Sequence, residues 1–287
     1  MRPRLAPPKF ADVAKRIDEI EWRFDGAFNP DLLAFYHEAT LRQICALRVW
    51  LAAREASGRF DAIDDWIRMI ALNRLTGHSA GFFSVYTLPP NQAVSVEAQR
   101  KINAKRGQQL PPLRDVPAII LKKSRTLLGG ENFGRGDYLL STAPASATPA
   151  IPTASAKLVV TSPPFLDIVQ YANDNWLRCW FANIAPADVN ISMHKKPEDW
   201  RDFVHATFRE LARIVAPRGH VAFEVGEVRG GKVELEKLVL DALAGTPFAP
   251  LCVLVNVQEF TKTANCWGVS NNAKGTNTIR VVLARRA

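Results

Sequence analysis

The sequence predicts an α/β protein, with a doubly wound sheet in its C-terminal half and a mostly helical region before it. Three observations carry this. Residues 10–77 repeat apolar side chains at spacings of three and four, the period of packed helices. From residue 157 onward, short β-branched runs alternate with helical stretches, as in a sheet wound with crossover helices. Between the two regions lies TAPASATPAIPTASA (residues 142–156), which can bury little apolar surface and reads as a mobile loop or linker.

Taken in order, residues 10–24 form a short amphipathic helix. Residues 39–56 carry Leu41, Ile44, Cys45, Leu47 and Leu51 on one stripe, with Gly58 as the stop. Residues 61–75 repeat the pattern through Ile63, Trp66, Ile67 and Ile70 and stop at Gly77. From Gly81 to Pro112 the periodicity fades, and Pro89-Pro90 and Pro111-Pro112 bracket a basic stretch. Lys157–Thr161 (KLVVT) is a continuous apolar run, as expected of a parallel strand buried on both faces. A helix over 200–215 follows with Phe203, Phe208, Leu211 and Ile214, then a turn at Pro217-Arg218-Gly219 and a strand over 220–225. A helix over 232–243 and strands over 251–257 and 278–284 complete the series. The last two strands are expected to be antiparallel neighbours, joined by a loop containing Asn265, Asn271, Asn272 and Asn277. The chain thus divides into a helical, basic portion (1–130) and an α/β portion (131–287).

With 47% apolar and 23% charged residues, the composition is that of an ordinary globular protein. There is no uninterrupted apolar run of the roughly 18 residues a membrane span needs, and Met1-Arg2-Pro3-Arg4-Leu5 lacks a signal core. A cytoplasmic protein without a membrane partner is expected. Cys45, Cys179, Cys252 and Cys266 are far apart and read as buried reduced thiols. Neither they nor the five histidines show metal-ligand spacing, so no metal is expected. The net charge of +9 favours polyanionic partners. Between Val94 and Arg125 eight cations face only Glu97 and Asp115, so most of that excess sits in one stretch. Arg100, Lys101, Lys105 and Arg106 have helical spacing without a strong apolar stripe, which predicts a solvent-facing surface for nucleic-acid phosphates.

Thr161-Ser162-Pro163-Pro164-Phe165 follows directly on the first strand, where open α/β sheets bind their ligands. Two prolines fix two backbone torsions and remove two N–H donors. A small hydroxyl precedes this rigid turn and an aromatic ring follows it, a cradle suited to a planar, amino-bearing group.

Ser162-Pro163-Pro164-Phe165 resembles the (Asp/Asn/Ser)-Pro-Pro-(Tyr/Phe) motif of SAM-dependent DNA amino-methyltransferases, which modify cytosine N4 or adenine N6. Gly136-Asp137-Tyr138-Leu139-Leu140 is similar to the family's "GD" strand-end segment. VVTSPPF with Tyr171 and Trp176 is similar to its catalytic strand and loop, and FRELARIVAPRGHVAFEVGEV to the following helix, turn and strand. The resemblance covers roughly residues 132 to 287. It implies a partial Rossmann-like methyltransferase sheet, S-adenosyl-L-methionine as cofactor, double-stranded DNA as partner and a place in DNA methylation of the restriction–modification kind. Ser162 and the Pro163 carbonyl would accept from the amine hydrogens, freeing the nitrogen lone pair for direct attack on the methyl group. Phe165 would stack on a base flipped out of the duplex. Serine at the first position leans toward cytosine N4. Asp137 is the candidate cofactor contact.

The family's Asp-x-Phe-x-Gly-x-Gly segment and its ribose-binding acid are not found. Phe133-Gly134-Arg135-Gly136 is a superficial candidate without an apolar strand before it, and Gly226 with Gly230-Gly231 fits a later family segment better. The expectation is a chain that starts after the Gly motif: a truncated form, an excised fragment, or one subunit of a split enzyme. Such a chain would bind the cofactor poorly, self-associate along the open edge Leu158–Thr161, and need a complementing polypeptide with the Gly motif. Two further readings stay open: a non-catalytic DNA-binding subunit or pseudoenzyme, and an RNA or protein-amide methyltransferase.

Overall fold

The computed structural model describes residues 2–87, 93–130, 137–166, 171–226, 228, 232–257 and 278–287. It is α/β, a partial Rossmann-like sheet with a helical N-terminal region, as the sequence predicts. The chain divides into two compact units, Met1–Tyr138 with Gln170–Asn190, and Leu139–Val169 with Ile191–Ala287. Residues 170–190, read from sequence as part of the α/β portion, therefore fold with the helices.

The helical unit contains α1 (Arg2–Leu5), α2 (Phe10–Asp18), α3 (Glu38–Ala56), α4 (Ala62–Leu72), α5 (Val96–Lys105) and α6 (Val116–Leu128). The segment at 170–190 adds α7 (Tyr171–Asp174) and α8 (Trp176–Ala182). Leu41, Ile44 and Leu47 of α3 and Ile67 and Ile70 of α4 are buried with Phe35 and Tyr36, each contributing about 1.5–3 kcal/mol of transfer free energy. Asp61 and Asp64 form a capping box at the start of α4. Asp64 is also fully buried between Arg54, whose Nε donates at 2.7 Å, and Arg16. Trp176 packs edge-on against Phe35 (5.7 Å) and donates its indole N–H to the Val94 carbonyl at 3.2 Å. Tyr171 and Trp176, expected in a catalytic loop, are therefore helix residues of this unit.

The faded periodicity of residues 81–112 has a physical cause. Helix α5 buries a polar face. Gln99 donates to the Tyr86 carbonyl (3.0 Å) and to Asn103 Oδ1 (2.7 Å), while Asn103 donates to the Ala34 carbonyl (2.7 Å). Buried amides, hydrogen-bonded through their NH2 groups, stand where a stripe search looks for Leu or Ile.

The second unit holds β1 (Ala156–Thr161), α9 (Pro197–Ile214), β2 (Val215–Gly226), α10 (Leu235–Ala242), β3 (Phe248–Val257) and β4 (Thr278–Arg286). The sheet order is β1-β2-β4-β3, with β1 parallel to β2 and the other neighbours antiparallel. The antiparallel pairing of the last two strands is as the sequence predicts; their Asn-rich connection lies outside the described residues. The expected turn at 217–219 is a bulge inside β2, with Arg218 at φ 63°. Phe208 of α9 stacks on Phe223 (5.3 Å) and meets Phe248 edge-on (5.5 Å).

Two expectations need correction. KLVVT is not buried on both faces: Leu158 is 58% and Val160 73% exposed, and Leu254 on β3 is also exposed. Helices α9 and α10 cover the face of Val221, Phe223, Val282 and Ala284. The continuous apolar run reflects a strand whose other face carries no helix among the described residues of this unit. Nor is every cysteine buried, since Cys252 is exposed on β3. Among the described residues, no helix is long and apolar enough to cross a membrane.

The Ala/Pro/Ser/Thr segment of residues 142–156 is irregular chain, as expected, but it is tied down. Glu210 accepts from the Thr148 amide (2.8 Å) and hydroxyl (2.5 Å), and Arg213 donates to the carbonyls of Ile151 (2.9 Å) and Thr148 (2.8 Å). The bonds from Arg213 and then Thr148 hold the Glu210 carboxyl down to about 2. A depressed folded-state value stabilises above the ordinary glutamate range and loses that stabilisation as pH falls through about 2. Thermal unfolding followed between about pH 4.5 and 2 should therefore show a falling midpoint, with a shallower fall in Glu210→Gln. Equal slopes would separate this carboxylate from the anchoring of the segment.

Candidate functional site

The site predicted from sequence is built where β1 and β2 end side by side. Their parallel register pairs Thr161 with Phe223, so the next residues on each strand, Ser162 and Glu224, also lie together. Ser162 is exposed at the strand end. Its Oγ donates to Glu224 Oε1 at 3.3 Å, long for a hydroxyl–carboxylate bond and therefore weak. That bond still gives the hydroxyl proton a direction. Glu224, which no sequence motif singles out, is the residue this geometry adds. The available signal was positional: Ser162 follows β1 directly, and Glu224 lies within the last residues of the parallel strand β2.

The two prolines are fixed from below. Trp200, on the first turn of α9 and almost wholly buried, donates its indole N–H to the Pro164 carbonyl at 2.9 Å. The Pro164 carbonyl is thus committed to anchoring the turn. Phe165 is half-buried and lies against Gly226 at the end of β2. A Cβ on Gly226 would come within 2.6 Å of the ring. Glycine is required here by proximity rather than by backbone torsion. The Leu166 that follows is buried in the sheet's core cluster.

The remaining predicted residues lie elsewhere. Asp137 is an exposed residue of the helical unit. Tyr138, Leu139 and Leu140, read as a strand-end segment, are exposed irregular chain with no strand pairing. Gly134, Gly136, Gly230 and Gly231 lie outside the described residues. A methyl-donor nucleoside needs a close-approach glycine turn and an acidic partner for its ribose. Asp137, exposed and without such a turn among the described residues, does not meet that requirement. Gly226 is taken up by the Phe165 ring. The described residues therefore do not by themselves fit the cofactor.

Arg100, Lys101, Lys105 and Arg106 are all exposed along and just beyond α5. Arg100 pairs with Asp31 (2.7 Å) and Lys101 with Glu97 (2.8 Å). The Arg106 guanidinium carbon lies 3.7 Å from the centre of the Tyr86 ring. Exposed pairs of this kind contribute about 0–1 kcal/mol, so they exchange readily for a phosphate. Among the described residues, no group of three or more His, Cys, Asp or Glu could hold a metal ion.

No family model and no curated protein matches the chain. Among solved structures, a candidate DNA modification methylase of Thermus thermophilus is similar over 50% of this chain and 52% of its own, at 19% identity and a TM-score of 0.32. The same protein in complex with S-adenosyl-L-methionine aligns over 48% and 50%, at 17% identity and a TM-score of 0.28. The geranyl diphosphate C-methyltransferase of Streptomyces coelicolor A3(2) aligns over 98% of this chain and 100% of its own, at 11% identity and a TM-score of 0.31. This chain thus spans about half the length of the first of these. None of these likenesses assigns a family.

The contact between Gly226 and Phe165 is directly testable. Gly226→Ala should push the ring off its seat and reduce stability by about 1–3 kcal/mol, the usual range for overpacking, read from the denaturant midpoint. A midpoint unchanged from wild type would mean that the ring is not held there.

Proposed function

We propose that this chain supplies the target-base side of a SAM-dependent DNA amino-methyltransferase. The observation that carries the reading is the Ser162 hydroxyl at the end of β1, its proton turned toward Glu224 and its neighbour Phe165 presenting a half-buried ring. An exocyclic amine is a weak nucleophile because its lone pair is delocalised into the ring. A hydroxyl whose own proton is placed on a carboxylate can accept from one amine hydrogen, and the Pro163 carbonyl from the other. Together they draw the nitrogen toward tetrahedral geometry, and the lone pair is localised for attack. Phe165 holds the base plane by stacking. S-adenosyl-L-methionine supplies the electrophilic methyl group when bound.

Cytosine N4 is favoured over adenine N6, because a neutral serine stands where an aspartate would give a stronger acceptor. The DNA duplex would be held by Arg100, Lys101, Lys105 and Arg106, whose surface pairs exchange for phosphates. The cofactor site would be completed by a Gly-motif segment that supplies the glycine turn and the ribose acid. A complementing polypeptide is one source of that segment.

Base capture is the step that tests this reading. A duplex with 2-aminopurine at the target should brighten on binding wild type, and Phe165→Ala should abolish the brightening with a loss of about 1–3 kcal/mol. Ser162→Ala should bind and brighten normally yet give no methylated base when host DNA is digested to nucleosides. N4-methylcytosine in the wild-type digest is the expected product. Brightening without any methylated base would move the chain to the non-catalytic, DNA-binding reading. Stronger competition by tRNA than by duplex would favour an RNA methyltransferase.

The α5 surface carries its own expectation. Replacing Lys101 and Arg106 together with Ala should weaken binding to all DNA sequences alike and lower the slope of log K against log salt by about 2, roughly one unit per phosphate contact. An unchanged slope would place the phosphate contacts elsewhere.

A further inference from the structure

A second basic feature of the helical unit is concave and chemically different from the α5 surface. A cleft of about 490 Å³ runs along one face of α6 and is closed by residues near the end of α4. Four cations line it: Arg74, Arg114, Lys122 and Lys123. The one carboxylate on its wall, Asp115, is already engaged as the N-cap of α6, accepting from the Ala118 amide at 3.0 Å. None of the four cations pairs with a carboxylate among the described residues. Elsewhere in this unit Arg16, Arg42, Arg54, Arg68 and Arg100 all do.

Two of the four carry an unmet demand. The Nε atoms of Arg74 and Arg114 are buried and have no hydrogen-bond partner. A buried charged donor left unpaired costs more than a neutral one, and such a group asks for an acceptor. Arg74 is already oriented, its guanidinium lying 4.2 Å from the centre of the Phe82 ring. Burial also lowers its proton affinity below the ordinary arginine value, a cost that a bound anion would offset. The geometry of the donors favours phosphate: arginine forks suit its oxygens in pairs, and lysines add point charge. Leu113 and Ile119 give the same cleft an apolar wall. A wall of that kind suits the sugar between phosphates rather than a bare inorganic ion.

We propose that the cleft between α6 and the end of α4 binds phosphodiester groups of a nucleic-acid strand, with Arg74 and Arg114 as the forks. This rests on the DNA reading above and adds a contact separate from the α5 surface. The same chemistry would also hold a free nucleotide, so the experiment includes both sources.

The test is fluorescence anisotropy of a short labelled duplex against the full chain at several salt concentrations. Lys122→Ala with Lys123→Ala should lower affinity about tenfold and reduce the salt slope by about 1–2. Alanine preserves helix propensity at both positions. Lys9→Ala with Lys15→Ala removes the same charge from exposed positions outside the cleft and should leave the slope near that of wild type. Equal effects of the two pairs, or none from the first, would overturn the proposal. So would saturable, micromolar calorimetric binding of a 5′-phosphorylated mononucleotide that is lost in Lys122→Ala/Lys123→Ala while duplex affinity is unchanged. The 2-aminopurine signal keeps this separate from the catalytic reading. Cleft-dependent binding without brightening overturns only the methyltransferase assignment, and brightening indifferent to the lysine pair overturns only the cleft.

Discussion

The parallel pairing of β1 with β2 is the constraint on which the candidate site depends. Side chains alternate faces along a strand, so a slip of one residue would turn Ser162 away from Glu224 and bring the wrong neighbour to Phe165. The observed register, Thr161 opposite Phe223, is held by the buried face of β2 against α9. Phe223 is stacked on Phe208, and Trp200 at the other end of α9 grips the Pro164 carbonyl. One helix therefore fixes both the strand register and the turn that follows. The site's geometry is a by-product of core packing several residues away.

The helical unit is held together by a different balance. Alongside its apolar core it buries specific polar contacts: Asp64 between two arginines, Gln99 with Asn103, and Trp66 donating to Ser124 at 2.9 Å. A buried ion pair of this kind adds little net stability over an apolar substitute, but removing one partner leaves a charge stranded. Such contacts discriminate among possible helix packings. Within this unit Arg74 and Arg114 stand out because their Nε donors are buried without an acceptor.

What could be read from sequence follows the same division. The helices over 39–56 and 61–75 announced themselves because apolar periodicity and burial coincide there, and the strands at 157–161 and 251–257 through apolar, β-branched composition alone, since most of their side chains are exposed. The helices α5 and α6 were not separately legible. The first buries amides, and the second shares its sequence with the basic stretch. KLVVT was misread as covered on both sides because composition reports apolarity without reporting what lies opposite. Ser162 to Phe165 were visible through local chemistry, two prolines and an aromatic after a strand. Glu224, Trp200 and Gly226 were not, since each owes its place to a contact across 36 to 62 positions of chain. No single-sequence signal carries such a pairing except the expectation that parallel strands end together.

The exposed side of the sheet ties these strands to the proposed chemistry. Leu158 and Val160 of β1 and Leu254 of β3 present apolar side chains to solvent, and β1 is an edge of the described sheet. An unpaired, apolar edge is costly to leave open and is a template for another strand. It is also the edge that ends at Ser162. A strand added there would extend the sheet immediately beside the base cradle, at the end where open α/β sheets bind ligands. A strand pairing with that edge would make its hydrogen bonds, whereas the bare face of Leu158, Val160 and Leu254 calls for a separate layer, because strand side chains stand perpendicular to the sheet.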